Sequence, residues 1–292
     1  MVTPRRPALT SNSISRRPKA VATAPAWRGG KLLLESDAIV VLDERTGTAL
    51  LEKNAGVARP IASITKLMTA MVILDAGQPL QERIQVSSED VDRVKYSSSR
   101  LAVGTTLTRE QMLHLALMSS ENRAAHSLGR TYPGGMKAFV KAMNAKARSL
   151  GMKSAKFVDP TGLDARNVAS AKDLATMVSA AAGYPLIRRF STDSQMQVAV
   201  ARKQQVFRNT NPLVQRSNWD IDVSKTGYIR EAGRCLVMHA KINNRETLIV
   251  LMDGHRNESR IRDSMTVRKW LERPDQRTTL KAADLMINDT VG

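Results

Sequence analysis

Arg234-Cys235-Leu236-Val237-Met238-His239-Ala240 is a short apolar run, and Thr247 to Met252 is another, with Asn243-Asn244 between them. Two such runs around an Asn-Asn pair predict a β-hairpin, because asparagine tolerates the left-handed backbone of a tight turn. Ile221-Asp222-Val223 is a third β run, set off by Gly233. The same texture recurs near the other end of the chain. Ala38-Ile39-Val40-Val41-Leu42 is apolar and β-branched, Asp43 to Gly47 is a turn, and Thr48-Ala49-Leu50-Leu51-Glu52 follows, so a second hairpin with a largely buried first strand is predicted. Pro60 is expected to stop any strand.

The middle is helical. Leu67, Met68, Met71, Val72 and Leu74 recur at helical spacing, which predicts a helix from about Ser63 to Gly77. Residues 108–149 are helical in pieces: Thr108-Arg109-Glu110-Gln111 reads as an incomplete capping box, Tyr132 to Gly135 is a break, and Met136 to Leu150 is amphipathic. Ser170 to Ala182 and Ile261 to Leu271 are further helices. Strands, a helical middle, strands and a terminal helix predict an α/β fold of the α+β kind. Its antiparallel sheet comes from both chain ends, is flanked by helices and carries a helical inserted region. One domain over residues 35–273 is expected, with a disordered basic tail over 1–34 and an extension over 274–292.

Composition bounds the partners more than the fold. The chain has 292 residues, enough for a sizeable core, with only 4% aromatics and 14 Met, so Leu, Val, Ile, Met and Ala must fill that core. A net charge of +18 admits nucleic acid, anionic lipid or an acidic polymer as partner. Nucleic acid is not expected, since neither zinc-ligand spacing, an aromatic-basic RNA motif nor a Lys/Arg run longer than two is present. The one cysteine, Cys235, excludes an internal disulfide; in its apolar run it reads as a buried, inert thiol. No apolar stretch is long enough to cross a membrane. Residues 1–30 hold six Arg or Lys, four Pro and no acid, without the apolar centre of a signal peptide. His114, His126, His239 and His255 lack ligand spacing, and neither a metal nor a cofactor is implied.

Three short motifs carry the chemistry: Ser63-Ile64-Thr65-Lys66, Ser120-Glu121-Asn122 and Lys225-Thr226-Gly227. Each occurs once, and each alone is weak: S-x-x-K is mostly an accident on a helix, S-x-N an N-cap signal, K-T-G a turn. Together and in this order they are far more specific. Ser63 and Lys66, three apart, share a helix face. A serine hydroxyl needs a base, and a lysine can serve when burial and a second cation depress its pKa. Lys225 would be that cation, Ser120 a proton relay, and Asn122 the group that orients Lys66 and the substrate amide. Thr226 adds a hydroxyl, Gly227 lets a substrate backbone approach, and the N–H groups of Tyr228 and Ser63 would form an oxyanion hole. Asp159-Pro160-Thr161-Gly162 is a turn with two readings, a structural role first and a place at the site's edge second.

These motifs together are those of β-lactamases and penicillin-binding proteins. Arg59 to Ala70 resembles the low-molecular-mass penicillin-binding proteins, the D-alanyl-D-alanine carboxypeptidase and endopeptidase family. Leu115 to Ala125, Tyr132 to Met152, Arg208 to Val214 and Trp219 to Met238 resemble its periplasmic endopeptidase subgroup. The resemblance spans roughly residues 35–272 and implies a DD-peptidase/β-lactamase-like fold. It also implies Ser63, Lys66 and Ser120 as catalytic residues, peptidoglycan peptides as substrate and β-lactams as covalent inhibitors. Arg260 aligns loosely with an arginine that binds the substrate carboxylate in related carboxypeptidases. The chain stops soon after the catalytic domain, without the extra β domain and amphipathic anchor of the carboxypeptidase subgroup, which favours an endopeptidase.

Rivals remain. A class A β-lactamase would need a glutamate between the second and third motifs, yet residues 123–224 contain none. A D,D-carboxypeptidase and a non-catalytic, basic wall-binding or nucleic-acid-binding protein are the others.

Overall fold

The computed structural model describes residues 27–28, 31–201 and 203–273. Its centre is a five-stranded antiparallel sheet of β1 (Ser36–Asp43), β2 (Thr48–Lys53), β3 (Asp220–Ile229), β4 (Gly233–Ile242) and β5 (Arg245–Gly254). The order across the sheet is β3-β4-β5-β1-β2, so strands from the two chain ends meet where β5 pairs with β1, Val250 opposite Val40. The unbroken apolar run of β1 follows from its place: it is inside the sheet and covered on both faces. The β4–β5 hairpin turns at Asn243-Asn244, both with positive φ, and Ile242 pairs with Arg245, as the Asn-Asn signal predicts.

Alternation along the strands feeds two cores. Ala38, Val40, Val237 and Val250 face the helical region, made of α1 (Thr65–Asp75), α2 (Arg109–Met118), α3 (Asn122–Arg130), α4 (Gly135–Ser149), α5 (Ala171–Ala182) and α6 (Pro185–Thr192). Ile39, Val41, Leu236 and Leu251 face the opposite way, toward Val267 and Trp270 of α7 (Ser259–Leu271). Helix, sheet and helices thus form three layers, with the inserted helical region where the sequence places it.

Several local expectations change. The first helix does not begin at Ser63: Ala62–Ile64 form a 3₁₀ turn, and α1 starts at Thr65. Pro60 does not exclude pairing, because Arg59–Pro60 pair with Val168–Ala169 in an isolated two-residue ladder, an edge position that proline tolerates. The capping box of α2 is complete: the Gln111 N–H donates to Thr108 Oγ1 at 3.1 Å and the Thr108 N–H to Gln111 Oε1 at 2.9 Å. Ahead of residue 35, Leu32 is buried in the second core and pairs with Trp27. Residues 1–26 and the extension over 274–292 lie outside the described residues.

Candidate active site

The turn that carries Ser63 sits between α1 and the sheet's edge strand. Ala62 has φ +46, a strained value for a residue with a side chain. Gly227 on β3 lets the turn lie close, for a Cβ there would come within 3.0 Å of the Ile61 carbonyl oxygen and 3.2 Å of Ala62 Cβ. Ser63 is partly exposed while Lys66, one helical turn on, is fully buried. Substrate can therefore reach the hydroxyl while the amine stays dry.

Lys66 Nζ lies 2.8 Å from each of three acceptors: Ser63 Oγ, Asn122 Oδ1 and the Thr161 carbonyl. A neutral amine satisfies this frame by donating two N–H bonds to Asn122 and Thr161 and turning its lone pair to the Ser63 hydroxyl. Burial lowers the Lys66 pKa to about 7 against the opposing pull of Asp159 and Glu121. The base form is therefore well populated at neutral pH.

The second motif is set by a helix break. α2 ends, Ser120 takes φ +61, the Glu121 N–H bonds to the Leu115 carbonyl, and α3 begins at Asn122. That left-handed residue turns Ser120 toward the third motif, where Lys225 Nζ donates to Ser120 Oγ at 2.9 Å and to the Thr226 carbonyl at 3.0 Å. Lys225 is fully buried, and burial first, then Lys66 and Arg260, push its pKa well down. The Thr226 hydroxyl bonds to Thr210 at 2.6 Å. The Tyr228 side chain projects outward, 52% exposed, with the Arg234 guanidinium 3.6 Å from its ring centroid. Arg260, in the first turn of α7, bonds from behind to the carbonyls of Gly227 (3.1 Å) and Cys235 (3.4 Å). All nine expected site residues lie in or against this cleft. Cys235 is buried and its thiol pushed up to about 11, mainly by burial, the reverse of activation.

Sequence reasoning missed the supports. Thr161 serves through its carbonyl, which no motif encodes. The Asp159 carboxylate accepts the N–H groups of Thr161 (2.6 Å) and Gly162 (2.9 Å), Thr69 Oγ1 donates to the Pro160 carbonyl at 2.7 Å, and Asn167 Nδ2 reaches Thr65 Oγ1 at 3.1 Å. Gly162 has φ +80, and a Cβ on it would fall 1.8 Å from the Ala62 carbonyl oxygen. Beyond its structural role, the turn thus borders the site and carries an acceptor for the Lys66 amine. Ser97 was also missed: it accepts from Asn122 Nδ2 at 3.0 Å and donates to Asp92 at 2.6 Å.

A family comparison decides the assignment: residues 23–256 match the peptidase S11 family, D-alanyl-D-alanine carboxypeptidase. The chain belongs to that family. Among D-alanyl-D-alanine carboxypeptidase relatives, it is 45% identical over 258 residues to the D-alanyl-D-alanine endopeptidase of Escherichia coli, covering 87% of this chain and 83% of that protein. It is 44% identical to the D-alanyl-D-alanine endopeptidase of Pseudomonas aeruginosa over 90% of this chain and 86% of that one. The Streptomyces K15 DD-transpeptidase structure superposes with a TM-score of 0.76 at 25% identity, over 82% of this chain and 97% of that one. The DD-peptidase-like fold and the serine-type D-Ala-D-Ala hydrolase class expected from the motifs both stand.

Proposed function

We propose that the chain is a serine D-alanyl-D-alanine endopeptidase that cuts peptidoglycan cross-links through an acyl-Ser63 intermediate. The observation that carries this is the buried Lys66 amine, its lone pair available to the Ser63 hydroxyl because Asn122 and Thr161 occupy its other directions. Lys66 takes the Ser63 proton as Oγ attacks the D-Ala carbonyl carbon. The N–H groups of Ser63 and Tyr228 hold the oxyanion; β3 is an edge strand, so alternate N–H groups along it point away from β4. Ser120 relays the proton held by Lys66 to the leaving amine, the side-chain amine of the neighbouring stem, giving up its own proton as it takes that of Lys66, and Lys225 holds Ser120 for that transfer. Water then releases the product acid and restores Ser63. Arg260 backs the Gly227 carbonyl and adds positive charge for a substrate carboxylate. The preference for cross-links is supported by the names of the two relatives above. Digestion of purified cross-linked and monomeric muropeptides, read by mass for wild type and Ser63→Ala, tests it: dimers should fall to monomers only with Ser63 present.

Carboxypeptidase activity is the second reading, favoured by the family description itself. It predicts loss of a terminal D-Ala from monomeric pentapeptides as the faster reaction. β-Lactams should acylate Ser63 and leave slowly. Glu121, the acid nearest Ser120 in sequence, is already bonded by Ser99 at 2.7 Å, and Asp159 is occupied by its own turn, so neither is poised to activate water. Rapid penicillin turnover would contradict this. Stable labelling by a fluorescent penicillin, lost in Ser63→Ala, excludes a non-catalytic wall-binding protein. Peptidoglycan places the working enzyme in the periplasm. Among the described residues no helix is long and apolar enough to cross a membrane.

A further inference from the structure

We propose that Asp222, His239 and Glu246 form a binding site for a divalent transition-metal ion at the end of the sheet, separate from the Ser63 cleft. The three come from three adjacent strands, β3, β4 and β5, and their ligand atoms lie within 4.8 Å of one another. His239 is only 6% exposed. Its Nε2 faces Glu44 Oε2 at 2.5 Å, and Glu44 is itself held by the Ser179 hydroxyl at 2.6 Å. Its Nδ1 makes no hydrogen bond, although Asp222 Oδ2 is 3.2 Å away. Glu246 Oε2, 3.8 Å from His239 Nε2, is likewise buried without a hydrogen-bond partner.

Neither protonation state of the imidazole explains this arrangement alone. A neutral ring that donates from Nε2 to Glu44 leaves the Nδ1 lone pair beside a carboxylate. A protonated ring holds its second N–H 3.2 Å from Asp222 Oδ2 but outside hydrogen-bond geometry, in a buried position where that is costly. Three carboxylates surround this one ring, and the nearest lysine contact is Lys241 Nζ, 4.0 Å from Glu246 Oε1. A cation among the three donors removes the lone-pair conflict, gives both orphan atoms a partner and neutralises the excess charge. Glu44 then plays the part of the carboxylate that commonly orients a metal-bound histidine through its other nitrogen.

The donor set names the class of ion. Imidazole with two carboxylates suits zinc, manganese, cobalt or ferrous iron better than the oxygen-seeking calcium and magnesium. Tetrahedral ligands around zinc stand about 3.3 Å apart, so the carboxylates must draw inward slightly. Asp222 and Glu246, with side chains 47% and 41% exposed, are free to do so and leave room for water to complete the shell. The ion would tie edge strand β3 to β4 and, across it, to β5.

The test uses the full chain stripped with a chelator, titrated with Zn²⁺ by calorimetry and with Co²⁺ by visible absorption. One ion per chain is expected, with Co²⁺ ligand-field bands. At a hundredfold excess over Kd, zinc should raise the unfolding midpoint by about 5 °C. Asp222→Asn and Glu246→Gln should each weaken binding about tenfold or more, and His239→Gln should abolish it. All variants should still be labelled by penicillin, which reports an intact fold and cleft. The half-exposed carboxylates carry the test if His239→Gln fails to fold. Absence of saturable one-to-one binding by wild type, or binding undiminished in both carboxylate variants, overturns the site.

Discussion

Lys66 Nζ stands 2.8 Å from Ser63 Oγ, the amine fully buried and the hydroxyl at the surface of the cleft. Their protonation is therefore linked to reaction. With the Lys66 pKa lowered to about 7 by burial, the amine is a base above that pH and a spent acid below it. The rate constant for acylation by a fluorescent penicillin should climb up to pH about 7 and level off above it. Lys66→Arg, protonated at every accessible pH, should lose about 10³-fold. A profile flat from acid to alkaline pH would contradict the assignment of Lys66 as base.

The same burial has a sign in stability. The folded pKa of about 7 lies below the ordinary lysine value of 10.5, so the unfolded chain binds the extra proton between those limits. The penalty is absent above pH about 10.5, grows as pH falls, and is complete below about 7. Thermal unfolding of wild type and Lys66→Met should show the variant gaining relative stability from pH 10 down to 7. Lys225, depressed in the same direction, gives Lys225→Met the same trend.

Gly162 has no room for a side chain and Gly104 has plenty. Both have positive φ, but a Cβ at Gly162 meets the Ala62 carbonyl at 1.8 Å, whereas Gly104 has nothing within 4 Å. Gly162→Ala should cut acylation at least about 100-fold, because it displaces either the Thr161 acceptor or the nucleophile turn. Gly104→Ala should cost only about 1 kcal/mol of backbone strain and leave acylation intact. Stopped-flow acylation and melting curves on the two variants separate the effects.

Asp90 anchors a buried cluster. Burial works against its charge, but bonds from His126, Arg130, the Ser87 backbone and Ser127 hold its carboxyl well below the usual range. Asp90→Ala should cost about 3 kcal/mol at pH 7, typical of breaking a buried charged pair. The folded pKa lies below the ordinary aspartate value of 3.8, so the contribution is full above that pH and fades as pH falls further. Denaturant melts at pH 7 and pH 3 should show the wild-type advantage shrinking.

What was legible in the sequence is what side chains write directly. Ser63, Lys66, Ser120, Asn122 and Lys225 meet through their own side-chain heads, and their motifs are short. The β4–β5 hairpin was legible because Asn243-Asn244 must take positive φ. The Thr161 acceptor is a carbonyl that any residue carries; only the cramped Gly162 beside it leaves a trace. The hairpin of Gln195–Val200 and Lys203–Arg208 escaped notice because its exposed positions are glutamines and basic residues rather than strand formers. α6 is hard to see in the sequence because Pro185, a residue that ends most helices, is its first residue. Asp222, His239 and Glu246 are scattered along the chain, and only strand pairing brings them together.

The pairing of β1 with β5 also sets a timetable for the chain as it is made. Asp43 waits for Thr247, and Val40 for Val250. β1 is an interior strand, so its apolar run has only β2 beside it until almost the whole domain has left the ribosome. Closing a loop of that length is slow, and until then both faces of β1 are open to other chains. Closure of the sheet therefore waits until synthesis of the domain is nearly complete, and a nascent chain halted before β5 is left with the sticky half of a sheet.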